Sequence, residues 1–226
     1  MPRILAQRSL RPQGERPGCA AAGRRARIGG MKHRTAKIAR RTRETQIEIE
    51  LDLDGTGRAD VATGVGFLDH MLELFARHSL IDLKLACKGD VQVDYHHTVE
   101  DIGLALGTAL DKALGDRRGI RRYGFFLLPM DESLGQAAVD FGGRPFLVYS
   151  TECVSTFVRD FDTALLREFF RALSVNARAN VNLRHTGGNE PHHAAEAIFK
   201  AFARAVRAAV EPDPRETGIP SSKGVL

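Results

Sequence analysis

The sequence predicts an α/β (α+β) fold made of two copies of one half-domain, each a small β-sheet packed on two helices. Two observations carry this. Segments of period-2 alternation are interleaved with helical segments in the same order in both halves of the chain. The last helix of each half also opens with the same phrase, His-His-Thr-Val-Glu from position 96 and His-His-Ala-Ala-Glu from position 192. The half-repeats run over about 35–120 and 121–212, with a polar tail at 213–226.

The elements follow in order. Thr45–Leu53 alternates apolar and polar residues and reads as a half-buried strand. Asp54-Gly55-Thr56-Gly57 is a turn, from which Arg58–Thr63 is expected to return as a hairpin. Phe67–Phe75 has helical spacing. Ile81–Ala86 and Val91–Tyr95 read as strands around the turn Gly89-Asp90, and His96 to Leu114 is a long helix ended near Gly115. In the second half, Gln136–Phe141 and Phe146–Thr151 are strands around Gly142-Gly143-Arg144-Pro145. A helix follows from Asp162 to about Ala179, then a strand over Asn180–Arg184, then a helix from His192 to about Val210.

Composition narrows the function. Residues 1–43 hold 13 Lys and Arg and one acid, Glu15, whereas the rest of the chain holds 20 bases and 27 acids. The basic character thus belongs to an N-terminal arm, and the acidic body argues against nucleic-acid binding, which needs a basic folded face. Residues 1–30, rich in Arg, Gly, Ala and Pro without apolar period, are expected to form a disordered basic extension. An organelle transit peptide and an upstream start preceding Met31 are the other readings of that arm. Residues 31–226 form the folded body. No apolar run is long enough to span a membrane. Three cysteines without a CxxC pair point to a reducing compartment, hence the cytoplasm.

Seven of the eight histidines lie between positions 70 and 193. On a helix, His96 and Glu100 are about 40° apart around the axis and share a face, while His97 points about 100° away. Each phrase can therefore give a His/Glu pair to one metal and a lone His to another. Taken alone, a His-His pair is an ordinary helix feature; two copies in register, each with Glu at the same offset, point to divalent metal, with Mn, Fe or Zn all suited to mixed imidazole and carboxylate ligation. If a near two-fold axis relates the halves, one site would take His96, Glu100, His192 and Glu196. A second would take His97 and His193, completed by His70 and Glu168, which precede the two phrases by 26 and 24 residues. Neither phrase is the HExxH of metalloproteases.

The segments GFLDHMLELFARH (66–78), DYHHTVEDIGLALGTAL (94–110), PMDESL (129–134), GGRPF (142–146), EPHHAAEAIFKAFARAVRAA (190–209) and IPSSKG (219–224) closely resemble the imidazoleglycerol-phosphate dehydratase family. The resemblance implies a duplicated ribosomal S5 domain 2-like fold and a hydro-lyase of histidine biosynthesis. It also implies two Mn²⁺ per active site, bound at subunit boundaries of a 24-subunit homo-oligomer. One ion would take His96, Glu100, His192 and Glu196, the other His70, His97, His193 and the residue at 168. Glu168 stands where many members carry histidine, and Asn182 is a second departure. His185 falls outside the pattern and is expected to be a surface or loop histidine. Substrate-binding positions fall on Glu44, His78, Arg122, Arg144, Lys200, Ser221 and Lys223. The cations and hydroxyl among them suit a phosphate dianion.

The implied substrate, D-erythro-1-(imidazol-4-yl)glycerol 3-phosphate, must lose a carbon-bound hydrogen that is not α to a carbonyl. Metals on both ring nitrogens would favour imidazolate, which can expel the neighbouring hydroxyl. Glu44 is the candidate proton shuttle, with Glu73 behind it. A metal- or nucleic-acid-binding module and a dinuclear phosphoester hydrolase are the rival classes. Interleaving of phosphate-type cations with the ligands inside the body favours the dehydratase.

Overall fold

The structure, a computed structural model, describes residues 33–226; the basic arm expected at 1–30 lies outside them. Two four-stranded sheets have equivalent strand orders. The first contains β1 (Thr35–Arg41), β2 (Thr45–Asp52), β3 (Ala59–Ala62) and β4 (Asp82–Gly89), arranged β1-β2-β4-β3. The second contains β5 (Tyr123–Met130), β6 (Ser133–Asp140), β7 (Phe146–Thr151) and β10 (Asn180–Thr186), arranged β5-β6-β10-β7. A two-stranded ribbon, β8 (Phe157–Val158) and β9 (Phe161–Asp162), interrupts the second half. In each half a short helix precedes the last strand and a long helix follows it. These are α1 (Gly66–Ser79) and α2 (His96–Leu114), then α3 (Leu165–Asn176) and α4 (Pro191–Val210). The duplicated α/β architecture is thus the observed one.

Strand β2 shows why the sheet folds as it does. Thr45, Ile47, Ile49 and Leu51 are buried while Gln46, Glu48 and Glu50 face out, the period-2 pattern of a strand with one face on a core. Helices α2 and α4 lie on the first and second sheets respectively. Helix α4 comes close because Gly124 and Gly135 have no side chain: a Cβ on either would run into the backbone of Ala205 or Ala197.

The short helices exchange partners between halves. Helix α1 packs on α4, and α3 on α2. Gly103 and Gly107 of α2 face the α3 backbone, where a Cβ would stand 2.4 Å from the Phe169 carbonyl oxygen and 2.5 Å from that of Leu173. On the other pairing, Phe75 of α1 stacks on Phe202 of α4 at 5.7 Å.

Several local expectations need correction. Residues Arg58–Thr63 do not return as a hairpin on β2; β3 pairs parallel with β4, which takes the place beside β2. Val91–Tyr95 is a turn closed by Val93 N donating to Asp90 O, with Val93 exposed, and the chain reverses there to enter α2. Strands β6 and β7 flank β10 rather than pairing around Gly142–Pro145. Strands β1 and β5 were not anticipated. Helix α3 begins at Leu165, because Phe161 and Asp162 belong to β9.

Candidate metal and substrate site

The exchange of helix partners decides which ligands meet. His70 on α1 faces the first turn of α4, with Nε2 2.9 Å from Glu196 Oε1, and its ring lies 5.5 Å from that of His192. Donor atoms of His70, His192 and Glu196 all fall within 4.8 Å of one another. Glu196 is 6% exposed. Burial acts to raise its carboxyl pKa, but Lys200 Nζ at 2.7 Å and His70 outweigh that and hold it below the ordinary value. His78 lies on the same α1 segment; burial lowers its pKa, and the charge of Lys200 adds to that.

The equivalent group in the other pairing is His96 and Glu100 of α2 with Glu168 of α3. His96 Nε2 is 3.5 Å from Glu100 Oε2. Arg171 bridges the two acids, donating from Nη2 to Glu100 Oε1 and from Nε to Glu168 Oε2, both at 2.8 Å. So the set expected for one ion, His96 and Glu100 with His192 and Glu196, is not gathered within one chain. His192 packs on Phe67, Phe67 on Phe161, and Phe161 on Tyr95 beside His96, an aromatic partition between the phrases. His70 joins His192 and Glu196 instead of the lone histidines, because α1 lies on α4.

The lone histidines point away, as the helical spacing predicts. His97 Nδ1 is 3.0 Å from Asp90 Oδ2 and its Nε2 3.8 Å from Glu44 Oε1. His193 Nδ1 is 3.0 Å from Glu132 Oε2 and its Nε2 3.9 Å from Asp131 Oδ2. These hydrogen bonds to Asp90 and Glu132 raise both imidazole pKa values. Asp90, Asp131, Glu132 and Arg171 were missed in the sequence; the signal for two of them was their place in PMDESL, a hairpin tip equivalent to the one carrying Glu44.

That first tip is pinned. Thr42 Oγ1 accepts from the N–H groups of Glu44 and Thr45, and Thr45 Oγ1 donates to the buried Asp101 Oδ2 at 2.5 Å. Arg40 completes the network with Nη2 2.9 Å from Asp101 Oδ1. The second tip has its own anchor, and here His185 departs from expectation. It lies in β10, 1% exposed, with Nε2 3.1 Å from Ser133 Oγ and Nδ1 3.0 Å from Thr151 Oγ1. Its inward position in the strand buries it, and burial lowers its pKa.

The phosphate-type cations fall in two places. Lys200 is in the His70 cluster. Arg122, with φ of 71°, gives Nε and Nη2 to Asp140 and Nη1 to Pro220 O. This joins β5 to the tail holding Ser221 and Lys223. Gly142 leaves room for the Arg122 guanidinium, which sets the Arg144 turn beside it. Among the described residues, Arg144 and Lys223 are exposed and take no ion-pair partner.

A duplicated α/β fold with twin His-His-x-x-Glu phrases, one of which gathers His70, His192 and Glu196, defines the class: a metal-dependent enzyme. Comparison with known proteins supplies the particular family. Residues 63–206 match the family model described as imidazoleglycerol-phosphate dehydratase. The chain is 58% identical over 194 residues to the imidazoleglycerol-phosphate dehydratase of Paracoccus denitrificans, covering 85% of this chain and all of that protein. It is 55% identical over the same length to that of Methylorubrum populi. The crystal structure of imidazoleglycerol-phosphate dehydratase from Staphylococcus aureus superposes with a TM-score of 0.72 at 38% identity, covering 79% of this chain and 99% of that one. That of the Pyrococcus furiosus protein in complex with (S)-C348 gives 0.73 at 32%, covering 84% and 100%. The chain belongs to the imidazoleglycerol-phosphate dehydratase family.

Proposed function

We propose that this chain is a hydro-lyase of histidine biosynthesis. It dehydrates D-erythro-1-(imidazol-4-yl)glycerol 3-phosphate to 3-(imidazol-4-yl)-2-oxopropyl phosphate and water. Family membership supports the reaction. The observation that carries the site is the convergence of His70, His192 and Glu196; His96, Glu100 and Glu168 hold the equivalent positions of the other half, where Arg171 pairs with both acids. Imidazole with carboxylate suits Mn²⁺, and we assign two ions per active site. The ligands are His70, His192 and Glu196 in one group, His96, Glu100 and Glu168 in the other, with His97 and His193 facing outward. Outward-facing ligands suit completion by a second copy, which fits the homo-oligomer of 24 subunits with metal sites at its boundaries that the family resemblance implies. No described helix is long and apolar enough to cross a membrane, and we place the enzyme in the cytoplasm, with no nucleic-acid partner.

Bound divalent metal supplies Lewis acidity to the substrate's imidazole, making the ring the electron reservoir for elimination. The chain does the rest. Arg122, Arg144, Ser221 and Lys223 of one copy and Lys200 of a second hold the phosphate by charge-assisted bonds, and His78 contacts the substrate beside Lys200. That grip fixes the carbon chain so that the hydroxyl next to the ring meets Glu44. Glu44 gives a proton to the departing hydroxyl, which leaves as water, and takes the hydrogen of the adjacent carbon as a proton. The resulting enol becomes the ketone. The pinned hairpin holds the Glu44 carboxylate 3.8 Å from His97 Nε2, an imidazole that would serve as a metal ligand. Glu73 is exposed on α1 and stands as the weaker candidate.

The test is to supply imidazole glycerol phosphate and a panel of simple phosphoesters to the purified Mn²⁺-loaded protein. Ketone formation from the former alone is the result expected. Phosphate release from the panel would favour a phosphoester hydrolase instead.

A further inference from the structure

The two outward histidines are held in the same way by residues that are not counterparts in the duplication. Asp90 follows β4, whereas Glu132 sits in the β5–β6 hairpin. Each nevertheless brings a carboxylate oxygen to 3.0 Å from Nδ1 of the second histidine of a phrase, Asp90 to His97 and Glu132 to His193. An ionised carboxylate only accepts, so the proton of each imidazole is drawn to Nδ1 and the lone pair is left on Nε2.

Both acids are themselves held. Asp90 N donates to Glu44 O at 3.1 Å, tying it to the pinned first hairpin. Glu132 lies over Gly187 and Gly188; a Cβ on Gly188 would stand 2.4 Å from Glu132 Cγ and 2.8 Å from its Oε1. The next residue, Ser133, is fixed by the buried His185. Gly188 thus packs against one side of the Glu132 side chain, and the fixed Ser133 anchors its backbone.

We propose that Asp90 and Glu132 are positioning residues that lock His97 and His193 in the Nδ1–H tautomer, so that each presents Nε2 to the divalent metal. Hydrogen bonds of this kind orient ligating imidazoles and raise their basicity, and their loss costs about 10–100-fold in metal affinity. The proposal rests on the reading of His97 and His193 as metal ligands.

The experiment is Mn²⁺ binding to the metal-stripped full chain, followed by calorimetry and by the EPR signal of free Mn²⁺. The variants are Glu132→Ala, Glu132→Gln, Asp90→Ala and Asp90→Asn, with thermal unfolding of each apo protein alongside. The alanine variants should bind one class of Mn²⁺ about 10–100-fold more weakly. The amide variants keep a carbonyl acceptor for Nδ1–H and should stay within about threefold of wild type. Wild-type affinity in both alanine variants would overturn the proposal. So would amide variants as weak as the alanine ones, which would mean that charge rather than the hydrogen bond acts. A purely structural role would lower the unfolding temperature and leave affinity unchanged. Unaltered Mn²⁺ binding in His97→Ala and His193→Ala would instead overturn the ligand assignment, and the proposal with it.

Discussion

Gly103→Ala should destabilise the protein even though alanine is the better helix former. In the middle of α2 the substitution gains about 0.5–1 kcal/mol of helix propensity. Against this, the new methyl group would lie 2.4 Å from the Phe169 carbonyl oxygen and 3.1 Å from its Cα, whereas ordinary contact begins at 3.4 Å. The obstacle is helix backbone, so α3 as a whole must retreat by about 1 Å, and forced separation of packed elements costs about 1–3 kcal/mol. The net loss is about 1–2 kcal/mol, or roughly 2–8 °C in unfolding temperature for a domain of this size. Gly66→Ala is the matched control. It stands at the start of α1 with open space around it, so the same substitution should be neutral or stabilising by up to about 1 kcal/mol. Calorimetric unfolding of the metal-stripped variants at one protein concentration measures both. A Gly103→Ala protein as stable as wild type would refute the close α2–α3 approach that sets Glu168 against Glu100.

Glu44→Gln keeps shape and hydrogen-bonding reach, so it should retain two metals and substrate affinity while turnover falls by about 10²–10⁴; elemental analysis and steady-state kinetics check this. Burial acts to raise the Asp82 carboxyl, but the Arg58 and Thr56 N–H groups and the Arg58 guanidinium override it and hold the pKa at about 2. That contribution is present above pH 3.8 and lost as pH falls through about 2, so Asp82→Asn should cost up to about 2 kcal/mol at pH 7 in denaturant unfolding, and nothing near pH 2. His185 has a depressed pKa, so the unfolded chain binds its proton first. Its contribution is full above pH 6.5 and declines as pH falls below that value. The pH slope of the unfolding free energy there should flatten in His185→Gln.

The long helices were legible to within a residue because their ends carry local chemistry: the histidine phrases open them, and Gly115, with φ of 58°, closes α2. Strand β2 was legible because its outward face is charged. Strand β5 was not, since Tyr123, Phe125 and Leu127 are apolar yet exposed, which erases the alternation that marks a half-buried strand. The candidate residues stood out in the sequence; which of them meet within one chain did not. Spacing puts His192 and Glu196 on one face, but that this face meets His70 follows from α1 lying on α4, a contact between halves that no local pattern encodes. His185 looked peripheral because it sits outside the phrases; only the register of β10 turns it inward.

We propose that dehydration works through two metals. Metal-stripped protein can be titrated with Mn²⁺ while ketone formation from imidazole glycerol phosphate is followed. No turnover is expected without metal, followed by a rise that levels off at two Mn²⁺ per chain. Full turnover in the stripped protein, or a plateau at one ion per chain, would contradict it.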